Sequence, residues 1–340
     1  MRFEASLTMS ETRKARRSRK SRNAIALKAS RNTTETPCAA VGLRQSRAPS
    51  VRHAGTTSDD CAIVDSHVHL WNPTQLRYPW LNAFPSLNRP FLPEDFAAAK
   101  RTNRVKKFIF VECGCEASQN LAEVDWVSRF AKTEPRLKAV VAHANVEKGR
   151  DVRAELKALA QYPLVKGVRR NVQSENESEF CLSSEFVEGV QLLAEFGFSF
   201  DLCIKHHQLR AATELVKRVP QVTFVLDHCG KPDVHQGTIE PWATDLRRLA
   251  QLPNVVCKIS GLATEGDWST WQTRDVENYL RLAVKFFGFK RVMFAGDWPY
   301  ATLATTYQRW IETVKAVFAA ASATEMRQLF QSNAERIYRV

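Results

Sequence analysis

Residues 62–71 read Ala-Ile-Val-Asp-Ser-His-Val-His-Leu-Trp, a short apolar run that ends in two histidines two residues apart. A nearly continuous apolar run of this length is typical of a parallel strand that is buried on both faces. Residues two apart in a strand point to the same face, so the pattern predicts that His67 and His69 project together. We therefore expect a buried strand with both imidazoles at its carboxyl end.

Seven more β-rich apolar runs follow, at residues 107–112, 138–145, 165–170, 198–204, 222–228, 255–260 and 291–296. Segments with helical spacing separate them, for instance Leu121, Val124 and Val127 on one face of a helix. Eight strands alternating with helices over about 280 residues predict an α/β fold, the (β/α)8 TIM barrel. A doubly wound open sheet is the alternative, but it would normally carry a Gly-rich phosphate-binding turn, which the sequence lacks.

The chain has 340 residues and a formal net charge of +13, which could indicate a nucleic-acid partner. Residues 1–60 carry 13 Lys and Arg against five acidic residues, and thus +8 of that charge. Because this segment has no sustained apolar period, we expect a disordered basic extension, with the barrel at residues 61–340. Its role stays open between a mitochondrial transit peptide, a nucleic-acid or nuclear signal at residues 13–22, and a solvated tail without specific function.

The cysteines and the hydropathy indicate where the protein resides. None of the eight cysteines forms a CxxC pair, and several lie inside apolar runs, where a free thiol behaves as a small core residue. This usage favours a reducing compartment, so we expect a cytoplasmic protein unless the extension directs it to mitochondria. The sequence has no run of about 18 apolar residues, and a membrane partner is therefore not expected.

Ionisable residues collect at the ends of most predicted strands, where TIM barrels place their chemistry. Taken singly, each has an ordinary structural explanation, such as a hydrogen-bonded core histidine or a turn-capping aspartate. Together they predict an active site at the mouth of the barrel. Besides His67 and His69 they are Arg169, Arg170, His206, His207, Asp227, His228, Lys231, Lys258, Ser260 and Asp297.

The sequence resembles the amidohydrolase superfamily, in the branch of lactone hydrolases that includes L-fuconolactonase, L-rhamnonolactonase and pyrone-dicarboxylate lactonase. The resemblance covers about residues 61–340. Gly296 departs from the pattern, since Ser is usual before the aspartate, and this change should not affect the chemistry. The stretches that carry the resemblance are residues 64–71, 78–81, 166–170, 227–232, 258–262, 294–299 and 333–338.

The resemblance implies a hydrolase in which Asp297 is the general base that activates water. It implies that His67, His69 and His228 polarise the ring carbonyl, either directly or through a metal. The cofactor is then either none or one divalent cation, Zn²⁺ or Mn²⁺, held by these three imidazoles and Asp297. His206 and His207 are further candidate ligands after the fifth strand.

Cations and aromatic rings are the candidate substrate-binding groups. Arg169, Lys231 and Lys258 are expected to hold the hydroxyl or carboxylate groups of the substrate. The choice between Arg169 and Arg170 stays open, although alternation from Gly167 favours Arg169. An apolar wall is expected from Trp71, Tyr78, Trp80 and Trp298, with simple packing of the first loop as the alternative for Tyr78 and Trp80.

The expected function is the opening of a sugar-acid or related carboxylated lactone by water activated by Asp297, an activity of carbohydrate metabolism. One alternative is a metal-dependent decarboxylase or amide hydrolase on the same barrel. Another is a nucleic-acid-binding protein that acts through the basic tail, although the charge of the barrel makes a nucleic-acid partner the weaker expectation. Oligomeric state and the identity of the lactone do not follow from the sequence.

Overall fold

A computed structural model describes residues 62–340 of the chain. Within these residues, eight parallel strands pair in chain order: β1 (Ile63–Val68), β2 (Val105–Val111), β3 (Leu137–His143), β4 (Val165–Arg169), β5 (Ser199–Leu202), β6 (Phe224–Leu226), β7 (Val255–Ile259) and β8 (Val292–Phe294). Each lies on one of the predicted runs, which confirms the predicted (β/α)8 barrel. The predicted basic extension, with its targeting or nucleic-acid roles, lies outside the described residues.

The barrel closes between β1 and the segment that follows β8. Val68 pairs in parallel with Trp298. The backbone N–H of Asp297 donates to the carbonyl oxygen of His67 at 2.9 Å, and that of His69 donates to the carbonyl oxygen of Trp298 at 2.7 Å. Backbone hydrogen bonds therefore join the two strand ends that carry the HxH pair and Asp297.

Helices connect successive strands and cover the outside of the barrel. Side-chain caps mark several helix starts: the hydroxyl of Ser183 accepts from the backbone N–H of Phe186 at 3.3 Å, as the Ser-Ser sequence at that point predicts. The last two helices are joined by a π-helical turn (Gln328–Ser332). The helices are α1 (Pro93–Ala99), α2 (Asn120–Phe130), α3 (Arg153–Leu159), α4 (Ser184–Phe196), α5 (Leu209–Arg218), α6 (Trp242–Ala250), α7 (Thr273–Phe287), α8 (Tyr307–Val317), α9 (Ala323–Arg327) and α10 (Asn333–Tyr338).

The barrel interior has an apolar floor. Buried side chains from six of the eight strands pack there against Tyr338 of α10, which is fully buried. Along β7, Val256 belongs to this floor. Lys258, two residues further on, also points into the barrel interior, one layer closer to the carboxyl ends of the strands, where it contacts Asp201. The strand period of two thus places ionisable side chains directly above an apolar layer. The other floor residues are Val64, Ile109, Val111, Ala139, Val141, Val225 and Met293.

A local irregularity in β1 brings the histidines into the interior. Val64 lies in the apolar floor and His67 contacts the interior Lys258, although the two positions are three residues apart and strict alternation would put them on opposite faces. The register of β1 against β2 shifts between Asp65 and Val68. The Asp65 carboxylate accepts from the backbone N–H groups of His67, at 3.0 Å, and of Gly296, at 2.8 Å, and so fixes the bend.

None of the helices among residues 62–340 is long and apolar enough to span a membrane. The six cysteines in this part of the chain are free thiols, and all but Cys115 are buried. This pattern agrees with the interpretation of the cysteines as small core residues.

Candidate active site

Five charged side chains form a buried layer at the bottom of the barrel mouth: Glu112, Arg169, Asp201, Asp227 and Lys258. The Lys258 ammonium lies 2.6 Å from the Asp201 carboxylate and 2.9 Å from that of Asp227. The Arg169 guanidinium donates to a Glu112 carboxylate oxygen at 2.6 Å and to Asp227 at 3.2 Å. Every charge in this layer thus has an opposite partner, which buried charges require.

The electrostatics of this layer favour an ionised Asp227. Burial alone would raise the pKa of its carboxyl, but Lys258 and His67 hold that pKa well below its ordinary value. Asp201 lies beside the same ammonium, and there burial wins, so that the pKa of Asp201 is raised to about 6. The hydroxyl of Tyr338 donates to Asp201 at 3.1 Å from the floor below.

His67, His69 and Asp297 converge above this layer. Nε2 of His67 lies 3.0 Å from Nε2 of His69. An Asp297 carboxylate oxygen lies 3.4 Å from the His69 atom and 3.7 Å from the His67 atom. Nδ1 of His69 donates to the carbonyl oxygen of Val111 at 2.8 Å, because a carbonyl can only accept.

Asp297 is buried and yet favoured as a carboxylate. Its backbone φ of 52° lies in the left-handed region, an uncommon conformation for a non-glycine residue and one that clusters at functional sites. Burial raises the pKa of the Asp297 carboxyl, but His228, His69 and His67 lower it by more, and the net direction is well below its ordinary range. The site therefore holds an ionised carboxylate at neutral pH.

His228 lies in a left-handed turn that follows β6. His228, Cys229, Gly230 and Lys231 all have positive φ, a run that L-residues adopt only when the surroundings impose it. The indole N–H of Trp242 donates to the carbonyl oxygen of Cys229 at 2.8 Å and helps to hold the turn.

The His228 ring packs against its neighbours in a neutral form. Nδ1 of His228 lies 2.8 Å from the Ser260 hydroxyl, and its ring centroid is 4.7 Å from that of His67. Burial lowers the pKa of His228 to about 4, with the Lys231 charge acting in the same direction. Gly261 lies directly against the imidazole, since a Cβ there would come within 2.6 Å of Nδ1.

Lys231 spans the mouth between two loops. Its ammonium donates to the Gln173 side-chain oxygen at 2.5 Å, in the loop after β4, and lies 3.6 Å from Glu265, after β7. Burial lowers the pKa of Lys231, but Cys203, Glu265 and Asp297 together raise it by more, so the side chain is charged. The imidazole of His206 faces the Lys231 carbonyl oxygen at 3.2 Å.

These groups open into a cavity of about 370 Å³ at the carboxyl ends of the strands. One wall is aromatic and the opposite wall is polar. The polar wall includes Asn171, Gln173 and Ser174 from the loop after β4. The lining residues are His69, Trp71, Trp80, Phe84, Cys113, Gly114, Arg169, Asn171, Gln173, Ser174, Cys203, His228, Lys231, Asp297 and Tyr300.

Three of the predicted substrate-binding residues lie elsewhere. Lys258 is fully buried beneath the histidines and does not line the cavity. Tyr78 is buried next to Glu123, which agrees with the packing alternative for the first loop. Trp298 packs between Phe91 and Phe96 on the outer side of the barrel.

The two open alternatives at strand ends are also resolved. Arg169 lines the cavity, whereas Arg170 points away and pairs with Glu147 and Glu175. His206 and His207 lie in a 3-10 turn (His206–Gln208) away from the cavity lining, and neither belongs to a metal-capable cluster within residues 62–340. Trp71 and Trp80 do form part of the aromatic wall.

Several site residues were missed by sequence reasoning. Asp201 interrupts an apolar run, and an acid within a buried strand is itself a signal of a buried partner. Glu112 ends the second run in the same way. Gln173, Phe84 and Tyr300 belong to loops, where no period predicts which side chains meet.

The donor set fits a divalent metal. Three ligand atoms at separations of 3.0, 3.4 and 3.7 Å resemble those around one tetrahedral zinc, which average about 3.3 Å. His69 donates its other ring nitrogen to a carbonyl, as metal-ligating histidines do. The other ring nitrogen of His67, Nδ1, lies 3.3 Å from the Asp227 carboxylate, which can accept its proton in the same way. His67, Asp227 and His228 form a second group of this kind.

Known proteins resemble this chain over most of its length. The chain is 31% identical to the L-fucono-1,5-lactonase of Burkholderia multivorans over 306 residues, which cover 81% of this chain and 95% of the relative. It is 24% identical to the L-rhamnono-gamma-lactonase of Scheffersomyces stipitis, over 82% of this chain and 98% of the relative. Among solved structures, an amidohydrolase from Burkholderia multivorans with bound zinc superposes with a TM-score of 0.74 at 29% identity, covering 82% of this chain and 99% of that one.

The model of the family described as amidohydrolase matches residues 64–340. The match begins in β1, includes the HxH pair and Asp297, and extends through α10. The resemblance inferred from the sequence motifs is therefore confirmed over the whole barrel. This chain belongs to the amidohydrolase family.

Proposed function

We propose that this protein is a hydrolase that opens a lactone ring with water activated by Asp297. The observation that carries the proposal is the buried, ionised Asp297 carboxylate at the edge of the cavity, in contact with two imidazoles. Two relatives named as lactonases, aligned over most of this chain, support the same reaction.

In the proposed reaction, a water molecule beside Asp297 gives one proton to its carboxylate while the water oxygen attacks the ring carbonyl carbon. The carbonyl oxygen becomes an oxyanion. When the tetrahedral intermediate collapses, the ring C–O bond breaks and the leaving alkoxide takes the proton back from Asp297. One water is consumed, the product is a hydroxy acid, and the enzyme returns to its starting state.

Donors for the oxyanion are available among the other side chains that line the cavity. If the Ser260 hydroxyl donates to Nδ1 of His228, the ring proton lies on Nε2 and can point to the substrate. The charged Lys231 lines the same cavity. Preorganised donors of this kind stabilise the transition state without reorganisation, the usual main contribution to acyl transfer.

His67, His69 and Asp297 are the residues that would hold a zinc or manganese ion. Such an ion would polarise the carbonyl and lower the pKa of bound water. With or without a metal ion, the other residues keep the same roles: Lys231 and Arg169 bind substrate oxygens, and the aromatic wall excludes water.

The charges in the cavity favour a neutral, hydroxyl-bearing lactone of a sugar acid over a dicarboxylate. Arg169 is already matched by Glu112 and Asp227, and Lys231 has Glu265 within 3.6 Å. A dicarboxylate would need further free cations. Hydroxyl groups, in contrast, can pair with the amide side chains of the polar wall while the ring lies against the aromatic one.

The test is a panel of aldonolactones and a pyrone dicarboxylate, assayed by proton release with the purified full chain. We expect turnover of at least one aldonolactone, and a kcat lower by at least about 10²-fold in Asp297→Asn. Near-wild-type turnover by that variant would refute the mechanism. Absence of any lactone turnover, together with a chelator-sensitive decarboxylation or amide hydrolysis that zinc or manganese restores, would refute the proposed function.

A further inference from the structure

A row of aromatic rings leads from the catalytic cavity to the protein surface. Trp71, which is buried, meets Trp80 at a centroid distance of 5.3 Å, and Trp80 meets Phe84 at 5.9 Å and Tyr300 at 6.2 Å. Phe84 then contacts Trp268 at 6.3 Å. The first four rings line the cavity, and Trp268 extends their row beyond it.

Trp268 is exposed and yet fixed in place. Its side chain keeps 42% of its surface accessible, and only Leu121 is a comparably exposed large apolar side chain within residues 62–340. The indole N–H donates to the carbonyl oxygen of Thr264 at 2.8 Å. The Asp267 carboxylate accepts from the backbone N–H of Ser269 at 2.9 Å, which fixes the turn that carries the indole. An aromatic face is thus presented to solvent in one orientation.

The surroundings of Trp268 have the chemistry of a sugar-binding surface. The indole lines an open groove of about 740 Å³ together with Thr302, Gln308 and Glu312. Hydroxyl, amide and carboxylate groups next to an aromatic face can hydrogen-bond the rim of a pyranose while its apolar face stacks on the ring. Thr302 and Gln308 already donate within the chain, to the Pro299 carbonyl oxygen and the Glu312 carboxylate. The hydroxyl and carboxylate oxygens of Thr302 and Glu312 keep lone pairs that sugar hydroxyls can use, whereas a lipid surface or an apolar helix offers no donors for them.

We propose that Trp268 forms a subsite for a second pyranose ring, joined to a lactone ring held in the catalytic cavity. The ligand class is the lactone of a disaccharide acid, and its hydrolysis product. The proposal rests on the proposed function for the ring that is opened. The subsite adds an aromatic surface on which the second ring stacks, and Trp268 is not one of the catalytic residues.

Two measurements test this subsite. Titration calorimetry compares the binding of gluconate, an open-chain acid, and cellobionate, the same acid with one pyranose ring attached, to the full chain and to Trp268→Ala. Proton release compares kcat/KM for D-glucono-1,5-lactone and cellobiono-1,5-lactone. We expect cellobionate to bind more tightly than gluconate, and Trp268→Ala to weaken cellobionate alone by about fivefold to tenfold, the size of one aromatic stacking contact. The same selective loss is expected in kcat/KM for the two-ring lactone.

Two further variants distinguish stacking from a disturbed loop. Trp268→Phe, which keeps a ring but loses the hydrogen bond to Thr264, should retain most of the preference for the ligand with the additional pyranose ring. Leu121→Ala, at an exposed apolar position on α2, should change neither ligand. Equal binding of the two acids to the wild type, or an equal loss of both in Trp268→Ala, would overturn the subsite. Binding selectivity without turnover of any lactone would instead overturn the proposed function alone.

Discussion

The ammonium of Lys258 lies 3.0 Å from Nδ1 of His67, beneath the mouth of the barrel. Nδ1 of His69 donates to a carbonyl oxygen, so its Nε2 has a free lone pair that accepts from Nε2–H of His67 at 3.0 Å. His67 then accepts from Lys258 at Nδ1. In this arrangement, a buried lysine that does not line the cavity sets the tautomer of His67, and the Val111 carbonyl oxygen sets that of His69.

Replacement of Lys258 by methionine should therefore affect folding as well as activity. Asp201 would remain buried without its cation and Asp227 would keep only Arg169. Removing one partner of a buried pair costs about 3–5 kcal/mol. We expect a loss of this size in the free energy of unfolding, measured by urea denaturation. Lys217→Met breaks the exposed pair with Glu214 and should cost less than about 1 kcal/mol. Similar losses in the two variants would contradict the role of Lys258.

Asp297→Asn should abolish most turnover without affecting the fold. The amide keeps the size of the carboxylate but cannot take a proton from water, and general base catalysis contributes about 10²–10⁴-fold. We expect kcat for the best aldonolactone to fall by at least about 10²-fold, with an unchanged circular dichroism spectrum. Asp125→Asn, on the exposed face of α2, serves as the control and should keep the wild-type rate.

The sequence was a good guide to the strands and to their polar ends, because both follow from short-range rules. Apolar runs predicted all eight strands, and the ends of three of them supplied His67, His69, His228 and Asp297. The HxH pair meets as expected, although through a bend at Asp65 that period-two alternation does not contain.

Contacts between distant strands could not be predicted in the same way. Lys258 looked like a substrate-binding cation because nothing local shows that Asp201 and Asp227 point to the same place. Gln173 meets Lys231 across two loops, 58 residues apart in the chain. Such pairings form only when the barrel closes, and a stretch of sequence that covers one strand and one helix carries no information about which distant residues then meet.

The pH dependence of stability should report the buried, neutral His228. Its pKa is lowered from 6.5 to about 4, so between these values the unfolded chain binds more protons at this position than the folded one. Stability contributed by His228 therefore rises with pH over that window and falls on acidification. From about pH 4.5 to 7, the increase in unfolding free energy should be about 2–3 kcal/mol smaller in His228→Asn than in the wild type. The exposed His235→Asn should leave the increase unchanged, and equal increases in all three proteins would refute the assignment.

One zinc ion should bind per chain at His67, His69 and Asp297. The ligand atoms already lie 3.0–3.7 Å apart, so binding requires little movement of the side chains. The proton on Nε2 of His67 must leave that atom, and the Asp227 carboxylate, 3.3 Å from Nδ1, can accept it there. We expect His69→Gln to lower zinc affinity by at least about tenfold, measured by competition with a chromophoric chelator. His206→Gln, whose imidazole faces the Lys231 carbonyl oxygen instead, should bind zinc like the wild type. If His206→Gln lost zinc and His69→Gln did not, the metal would not be held by His67, His69 and Asp297.

Gly261→Ala should displace the catalytic imidazole of His228. A Cβ at this position would lie 2.6 Å from Nδ1 and 2.7 Å from Cγ of the ring, and the φ of +70° adds strain for any L-residue. The ring belongs to a packed left-handed turn and cannot yield without moving its hydrogen bond to Ser260. We expect kcat to fall by at least about tenfold, since an oxyanion donor shifted out of place loses much of its contribution. Gly288→Ala separates strain from collision: its φ is +69°, but a Cβ there would meet nothing within 4 Å. Its ψ of 158° puts it in a region that is essentially restricted to glycine, so that variant should lose about 1–3 kcal/mol of stability and keep its kcat. Equal kinetic losses in both variants would show that His228 is not held by Gly261.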